Sequence, residues 1–191
     1  MGGSGLKAAI LPGSCNRTPG AGGSCLARRL SPTSRLAMHI VLVEPEIPPN
    51  TGNVARLCAA TRSTLHLIEP FGFKLDDAQL RRAGMDYWQH VAWQRWKSWT
   101  DFAAGLPPST CLWFIESGGA KHYGEVAFGP DDYLVFGRET AGLPKALLES
   151  HRDTWLRIPM FNADARSLNL SNCVALVLYE ALRQQGFAGE I

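Results

Sequence analysis

The sequence has few cysteines, no long apolar run and no acidic residue among its first 37 positions. No apolar run approaches the ~18 residues of a membrane span, so we expect a soluble protein that does not enter a membrane. The five cysteines are scattered and form no C-x-x-C pair, which argues against a disulfide framework or a zinc cage. A reducing, cytoplasmic compartment is therefore expected.

The sequence also lacks a pattern of metal ligands. The five histidines show no ligand spacing. The acidic pairs Asp76-Asp77 and Asp131-Asp132 are neighbours in the chain, so the two carboxylates of each pair do not face one site. Such pairs are typical of helix starts and solvated turns. We expect no metal ion.

The composition fits one folded domain with a basic extension. The chain has 191 residues, of which 46% are hydrophobic and 19% charged, enough for a sizeable core. Five of the 19 Lys and Arg residues lie in residues 1–37, which leaves 14 against all 17 Asp and Glu residues in 38–191. Residues 1–37 are rich in Gly and Pro, so we expect a disordered extension, either an organelle transit peptide or the product of a start codon upstream of Met38. A single domain is predicted over residues 38–191.

Short apolar runs alternate with helical patterns from Met38 onward. This alternation predicts an α/β fold with a mostly parallel sheet flanked by helices. Ligands of such sheets bind beyond the carboxyl ends of the strands, so the loops there are the places to search. Strands are predicted at 39–44, 65–69, 90–94, 111–116, 133–137 and 155–158, and helices at 50–62, 76–84, 98–105 and 171–185.

Segment 1 (residues 44–56) combines a stiff Pro-Pro pair with amides and an arginine. Asn50, Asn53 and Arg56 follow one another at intervals of three, which places them along nearly one side of a helix. A guanidinium fork held by two amides suits a phosphate or a developing oxyanion. The structural alternative is that Asn50 caps the helix and Arg56 is solvated.

Segment 2 (residues 137–144) carries two glycines around a charged pair. Gly137 permits close approach of the backbone at a strand end, Gly142 permits a positive φ, and Pro144 suits the first position of a helix. The dinucleotide pattern G-x-G-x-x-G is absent. Arg138 and Glu139 have no evident structural purpose between the glycines.

Segment 3 (residues 159–172) places four small hydrogen-bonding side chains before the last helix: Ser167, Asn169, Ser171 and Asn172. One such residue is enough for a helix cap. The excess predicts a polar site.

Taken in order, these segments resemble the SPOUT class of methyltransferases, the knotted α/β enzymes that modify RNA. The resemblance is greatest to minimal tRNA 2′-O-methyltransferases of the wobble nucleotide, and it spans Met38 to Gly189. The motifs that carry it are Asn50-x-x-Asn53-x-x-Arg56, Phe136-Gly-x-Glu139-x-x-Gly142-Leu-Pro144, Ile158-Pro-Met160 with Ser167-Leu-Asn169-Leu-Ser171-Asn172, the opening run Ile40 to Asn53, and Leu80 to Tyr87.

The resemblance implies S-adenosylmethionine bound in a trefoil knot formed by the C-terminal third. It also implies a homodimer packed through the first and last helices. An apolar stripe on the last helix is wide enough to serve both core and partner, and its members are Leu170, Val174, Val177, Leu178 and Ala181. The cofactor-binding residues implied are Ile115, Gly137, Glu139, Gly142, Ile158, Met160, Ser167 and Leu168.

The implied reaction is attack of the ribose 2′-hydroxyl of tRNA nucleotide 34 on an activated methyl group. Arg56 and Asn53 are the implied catalytic residues. An arginine stays protonated, so we expect Arg56 to steer a phosphate and to stabilise alkoxide character. The expected substrate-binding residues are Asn50, Arg81, Arg82, Ser171, Asn172 and Tyr179, the last of which could instead pack in the dimer.

In the sequence, Arg81 and Arg82 lie near four aromatic residues: Tyr87, Trp88, Trp93 and Trp96. The arginines offer positive charge and the aromatic rings offer stacking faces for an anticodon base. The alternative for these tryptophans is packing between sheet and helices. Alternatives for the whole chain are methylation of another tRNA or rRNA ribose, or a non-catalytic RNA-binding factor on the same fold.

Overall fold

The computed structural model describes residues 38–73, 88–162 and 164–191. Seven strands in this part of the chain form one sheet with parallel pairings throughout. They are β1 (His39–Val43), β2 (Thr64–Ile68), β3 (Trp93–Trp96), β4 (Leu112–Ile115), β5 (Lys121–His122), β6 (Tyr133–Phe136) and β7 (Trp155–Arg157). Their order across the sheet is β3-β2-β1-β6-β4-β7-β5. The predicted α/β class and parallel sheet are confirmed.

The helices of the described residues are α1 (Pro48–Thr61), α2 (Trp99–Ala104), α3 (Lys145–Ser150) and α4 (Leu170–Gln184). Within the described residues, none of these helices is long and apolar enough to cross a bilayer. β5 was not predicted, a helix was indicated at Pro144 without a predicted end, and β3 begins three residues later than expected. The predicted helix at 76–84 and the extension 1–37 lie outside the described residues.

Both faces of the sheet are buried, as parallel strands require. Ile40 and Leu42 of β1 pack on the face covered by α1 and α4. Val41 and Val43 point to the opposite face, where Phe102 of α2 is fully buried. The period of two along β1 therefore sorts its residues between two cores.

The apolar stripe predicted on the last helix lies entirely in the core. All five of its members are buried within the chain: Leu170, Val174, Val177, Leu178 and Ala181. The expectation that this stripe also meets a partner is wrong, because α4 packs it against α1 and the sheet. The outer side of α4 instead exposes Leu176 and Tyr179, by 42% and 49%.

One expectation about a polar group near the core is wrong. Asp132 is not in a solvated turn: it is 2% exposed and accepts hydrogen bonds from Trp113 Nε1 at 2.8 Å and from the Gly129 amide at 2.7 Å. A buried indole N–H needs an acceptor, and this need outweighs the preference of an aspartate for water. Cys58 and Cys173 are free.

The order of the strands determines where the loops meet. β1, β6, β4 and β7 are neighbours in the sheet, and all four are parallel. Their carboxyl ends therefore lie at one edge. Segment 1 follows β1, segment 2 follows β6, and segment 3 follows β7.

Candidate active site

A cavity of about 530 Å³ lies at this edge of the sheet. It is formed by the ends of β4 and β6, by segments 2 and 3, and by the start of α1. Asn50 also lines it. All eight residues predicted to bind the cofactor are in its wall: Ile115, Gly137, Glu139, Gly142, Ile158, Met160, Ser167 and Leu168.

Glu139 of segment 2 holds the start of α1. Its carboxylate accepts hydrogen bonds from the Glu46 amide at 2.8 Å, the Ile47 amide at 3.2 Å and Asn50 Nδ2 at 3.0 Å. The prediction that Asn50 caps α1 is wrong, because the helix begins at Pro48 and Ile47 is its N-cap. Glu139 instead supplies the acceptor that amides at a helix start require.

Two acidic side chains of segment 1 bind residues of segment 2. The carboxylate of Glu46 accepts hydrogen bonds from the Thr140 amide at 3.0 Å and from the Thr140 hydroxyl at 2.7 Å. Arg138 forms an ion pair with Glu44. The charged pair between the two glycines thus joins two loops that lie some ninety residues apart in the chain.

Asn169 connects segment 3 to the other two. Its Nδ2 donates to Asn50 Oδ1 at 2.9 Å, while its Oδ1 accepts from the Ser171 amide at 2.9 Å. Asn169 is thereby the N-cap of α4. One side-chain amide caps the helix and also binds Asn50, so the three segments meet at the wall of the cavity.

Gly137 and Gly142 leave no room for side chains. A Cβ at Gly137 would lie 2.2 Å from the Gly142 carbonyl carbon, and a Cβ at Gly142 would lie 2.0 Å from Glu116 Oε2. Gly142 has the predicted positive φ, 65°. Pro144, by contrast, is the N-cap of α3 and not its first helical residue.

Glu116 was not predicted as a site residue. It follows β4, lines the cavity, and accepts a hydrogen bond from the Leu143 amide at 3.0 Å. Its other oxygen accepts from the Ser117 amide at 2.8 Å. The signal in the sequence was a single acid directly after a buried strand, at the sheet edge where ligands bind.

The cavity contains a thiol that stays protonated. Burial, with a smaller contribution from Glu116, raises the pKa of Cys173 to about 11. Its Sγ lies 3.8 Å from the Leu168 carbonyl oxygen. A thiolate nucleophile is therefore not available at neutral pH.

Five of the remaining predicted site residues are described by the structure, and none of these five lines the cavity. Asn53 and Arg56 are exposed on α1, and Arg56 is six residues beyond Asn50, about 9 Å along the helix axis. Ser171, Asn172 and Tyr179 are on α4, where Ser171 binds Asn169 through its hydroxyl at 2.7 Å. Arg81 and Arg82 lie outside the described residues.

The three tryptophans that follow in the sequence pack against the hydrophobic core. Trp88 and Trp93 pack against one core cluster, with ring centroids 4.6 Å apart. Trp96 packs against the other and donates its indole N–H to His66 Nδ1 at 3.2 Å. Packing is thus the better interpretation of all three.

Comparison with known proteins agrees with this geometry. Residues 37–179 match the model of the SpoU rRNA Methylase family. The chain belongs to this family. The resemblance of its motifs to the SPOUT class is thereby confirmed. The SpoU match includes all three segments that form the cavity.

Curated relatives in the SpoU family are similar over nearly their whole length. A protein of Saccharophagus degradans named tRNA (cytidine(34)-2′-O)-methyltransferase is 53% identical over 154 residues, which are 79% of this chain and 97% of the relative. A protein of Burkholderia cenocepacia with the same name is 50% identical over 153 residues, again covering 79% and 97%.

Solved structures of the family share the fold. A structure described as "Structural insights into the 2-OH methylation of C/U34 on tRNA" superposes with a TM-score of 0.74 at 43% identity, covering 79% of this chain and 97% of that one. The SpoU methyltransferase AviRb of Streptomyces viridochromogenes, in complex with the cofactor AdoMet, has a TM-score of 0.67 at 25% identity, with coverage of 82% and 64%.

Proposed function

We propose that the chain is an S-adenosylmethionine-dependent 2′-O-methyltransferase that modifies the ribose of nucleotide 34 of tRNA. The observation that carries the proposal is the junction of segments 1, 2 and 3 through Asn50, Glu139 and Asn169 at the wall of one cavity. Curated relatives at about half identity carry this activity in their names.

The residues of the cavity fit the methyl donor. Its volume of about 530 Å³ lies in the range of small-ligand sites. Gly137 and Gly142 let segment 2 pack closely against its own neighbours, and both residues also line the cavity. Ile115, Ile158 and Leu168 offer apolar walls for an adenine ring. When bound, S-adenosylmethionine supplies a methyl group activated by a sulfonium charge.

The protein must then align the ribose and help its 2′-hydroxyl to lose a proton. Arg56 stays protonated at accessible pH, so we assign it the stabilisation of alkoxide character and the steering of the neighbouring phosphate. The proton leaves to phosphate or water. Asn53, one helical turn earlier, positions the same group.

A homodimer in the cytoplasm and a trefoil knot in the last third of the chain complete the proposal. Membership in the family supports the knot. The exposed Leu176 and Tyr179 on the outer side of α4 support the dimer, because they offer apolar area that the core does not use.

The test is methylation in vitro. The purified chain is incubated with labelled S-adenosylmethionine and bulk tRNA that lacks native wobble methylation, and the modified ribose is located by mass spectrometry. A 2′-O-methyl group at nucleotide 34 supports the proposal. Modification of another tRNA or rRNA ribose, or tight tRNA binding without transfer, would contradict it.

A further inference from the structure

The charged side chains of the cavity wall differ in whether they have hydrogen-bond or ion-pair partners. Four of them line it: Glu116, Arg138, Glu139 and Arg166. Both carboxylates accept hydrogen bonds from backbone amides, and Arg138 is paired with Glu44. Arg166 is exposed, and its guanidinium makes no hydrogen bond or ion pair with any residue that the structure describes.

We propose that Arg166 binds a phosphate of the RNA strand next to the target ribose. This inference rests on the proposed function and adds a substrate-binding residue that neither the motifs nor the comparisons indicate. A guanidinium forms two parallel hydrogen bonds to phosphate oxygens. An arginine at the mouth of a cavity, without a carboxylate partner, is suited to such a ligand.

The charge of the folded part explains why this cation matters. Residues 38–191 contain 14 Lys and Arg against 17 Asp and Glu, so a polyanion gains no general attraction from them. Binding must use cations placed at the site. Of the two arginines in the cavity wall, Arg138 is neutralised by Glu44, and Arg166 is available.

Exposure favours a phosphate over the carboxylate of the methyl donor. Residues 137 and 142, where backbone lines the cavity, are glycines packed closely against neighbouring atoms. Arg166 lies on the exposed run 164–169 of segment 3, beside Ser167 and Leu168, which also line the cavity. Its side chain is longer than theirs, so it can contact a large substrate that covers the opening.

Three chains are compared: wild type, Arg166→Ala and Arg166→Lys. Arg152→Ala, which removes an exposed arginine outside the cavity wall, is the matched control. The KM for tRNA is measured at saturating S-adenosylmethionine. Calorimetry measures binding of S-adenosylhomocysteine and of 5′-methylthioadenosine, which lacks the carboxylate. The salt dependence of tRNA binding is measured with each chain.

We expect Arg166→Ala to raise the KM for tRNA about tenfold and to reduce the salt slope by about one. Binding of S-adenosylhomocysteine should stay within about twofold of wild type, with Arg166→Lys intermediate for tRNA because the charge remains without the fork. Arg152→Ala should match wild type.

Other results overturn the assignment. Weaker binding of S-adenosylhomocysteine with unchanged methylthioadenosine would place Arg166 on the carboxylate of the donor. Equal weakening of both nucleosides would indicate a structural role, and unchanged tRNA kinetics would remove the residue from the site. A wild type that binds tRNA and S-adenosylhomocysteine without transferring a methyl group contradicts only the proposed function, since the binding measurements still test Arg166.

Discussion

Asn169 donates a hydrogen bond from Nδ2 to Oδ1 of Asn50 at 2.9 Å, although 119 residues separate them in the chain. The Nδ2 of Asn50 in turn donates to Glu139. Asn50 is 5% exposed, so both ends of its amide are satisfied away from solvent. The shape of the cavity therefore depends on a chain of two amides and one carboxylate.

Changing Asn169 separates its two functions. Asn169→Asp keeps the acceptor that caps α4 but loses the donor to Asn50, whereas Asn169→Ala loses both. We expect Asn169→Asp to weaken binding of S-adenosylhomocysteine about tenfold with little change in Tm, and Asn169→Ala to cost about 1 kcal/mol of stability as well. Calorimetry and thermal unfolding measure these effects. Wild-type affinity in Asn169→Asp would show that the link does not shape the cavity.

Glu139→Gln should destabilise the start of α1. The carboxylate accepts two amides and the Nδ2 of Asn50, and a glutamine replaces one acceptor oxygen by a second donor. We expect a loss of about 2 kcal/mol in the free energy of unfolding, measured in urea. Glu149→Gln is the control, because that exposed side chain has only Lys145 at 3.9 Å. An equal, small effect of both substitutions would refute the prediction.

Alanine variants of the two glycines of segment 2 should differ in whether a second substitution restores their stability. Gly142→Ala meets the end of the Glu116 side chain and a φ of 65°, whereas Gly137→Ala meets backbone. Each should cost about 1–3 kcal/mol. Adding Glu116→Ala should recover part of the stability of Gly142→Ala and none of that of Gly137→Ala. Gly124→Ala, with no atom within 4 Å, is the control.

Stability should fall at acid pH because of His66. Burial, and secondarily His39, lower the pKa of His66 from 6.5 to about 4. The unfolded chain therefore takes up the proton first, so this contribution is complete above pH 6.5 and is lost as the pH falls towards 4. The full loss is about 3 kcal/mol.

Urea unfolding between pH 4 and 8 checks this effect. His66→Gln keeps hydrogen-bonding groups but does not titrate, so its stability should vary less with pH than that of wild type. His122→Gln, at a partly exposed position, should keep the wild-type slope. Equal slopes in wild type and His66→Gln would assign the acid sensitivity to other groups.

Mixed dimers test where Arg56 acts. Arg56 does not line the cavity of its own chain, so in the proposed homodimer we expect it to reach the cavity of the second copy. Arg56→Ala is mixed with a blocked variant such as Ser167→Trp, whose loss of S-adenosylhomocysteine binding is checked first. If the two inactive chains exchange freely, about a quarter of wild-type activity should return. Mixtures that stay inactive despite exchange would assign Arg56 to its own chain.

The sequence was most informative where one segment carries its own signal. The runs at 40–43 and 133–136 are continuously apolar, which predicts strands buried on both faces. β5 has only two residues, Lys121 and His122, and depends on its pairing with β7. No local pattern indicates such a strand.

The same distinction applies to the site. The residues that the motifs assign to the cofactor could be placed, and all eight of them line the cavity. The hydrogen-bond partner of each residue could not be predicted from the sequence. The acceptor at the start of α1 comes from Glu139, and the carboxylate that meets Leu143 comes from Glu116, 27 residues earlier. Arg166 belongs to none of the motifs, and its proposed role depends on the absence of a hydrogen bond or ion pair to any described residue.

The hydrogen bonds between Glu139 and the start of α1 imply thermodynamic coupling between binding of the methyl donor and binding of tRNA. The loop that forms the wall of the cavity also sets the position of the helix that presents Arg56. A bound methyl donor that orders this loop should therefore also order the helix that carries Arg56. Each substrate should then raise the affinity of the other by the same factor, because linkage is reciprocal.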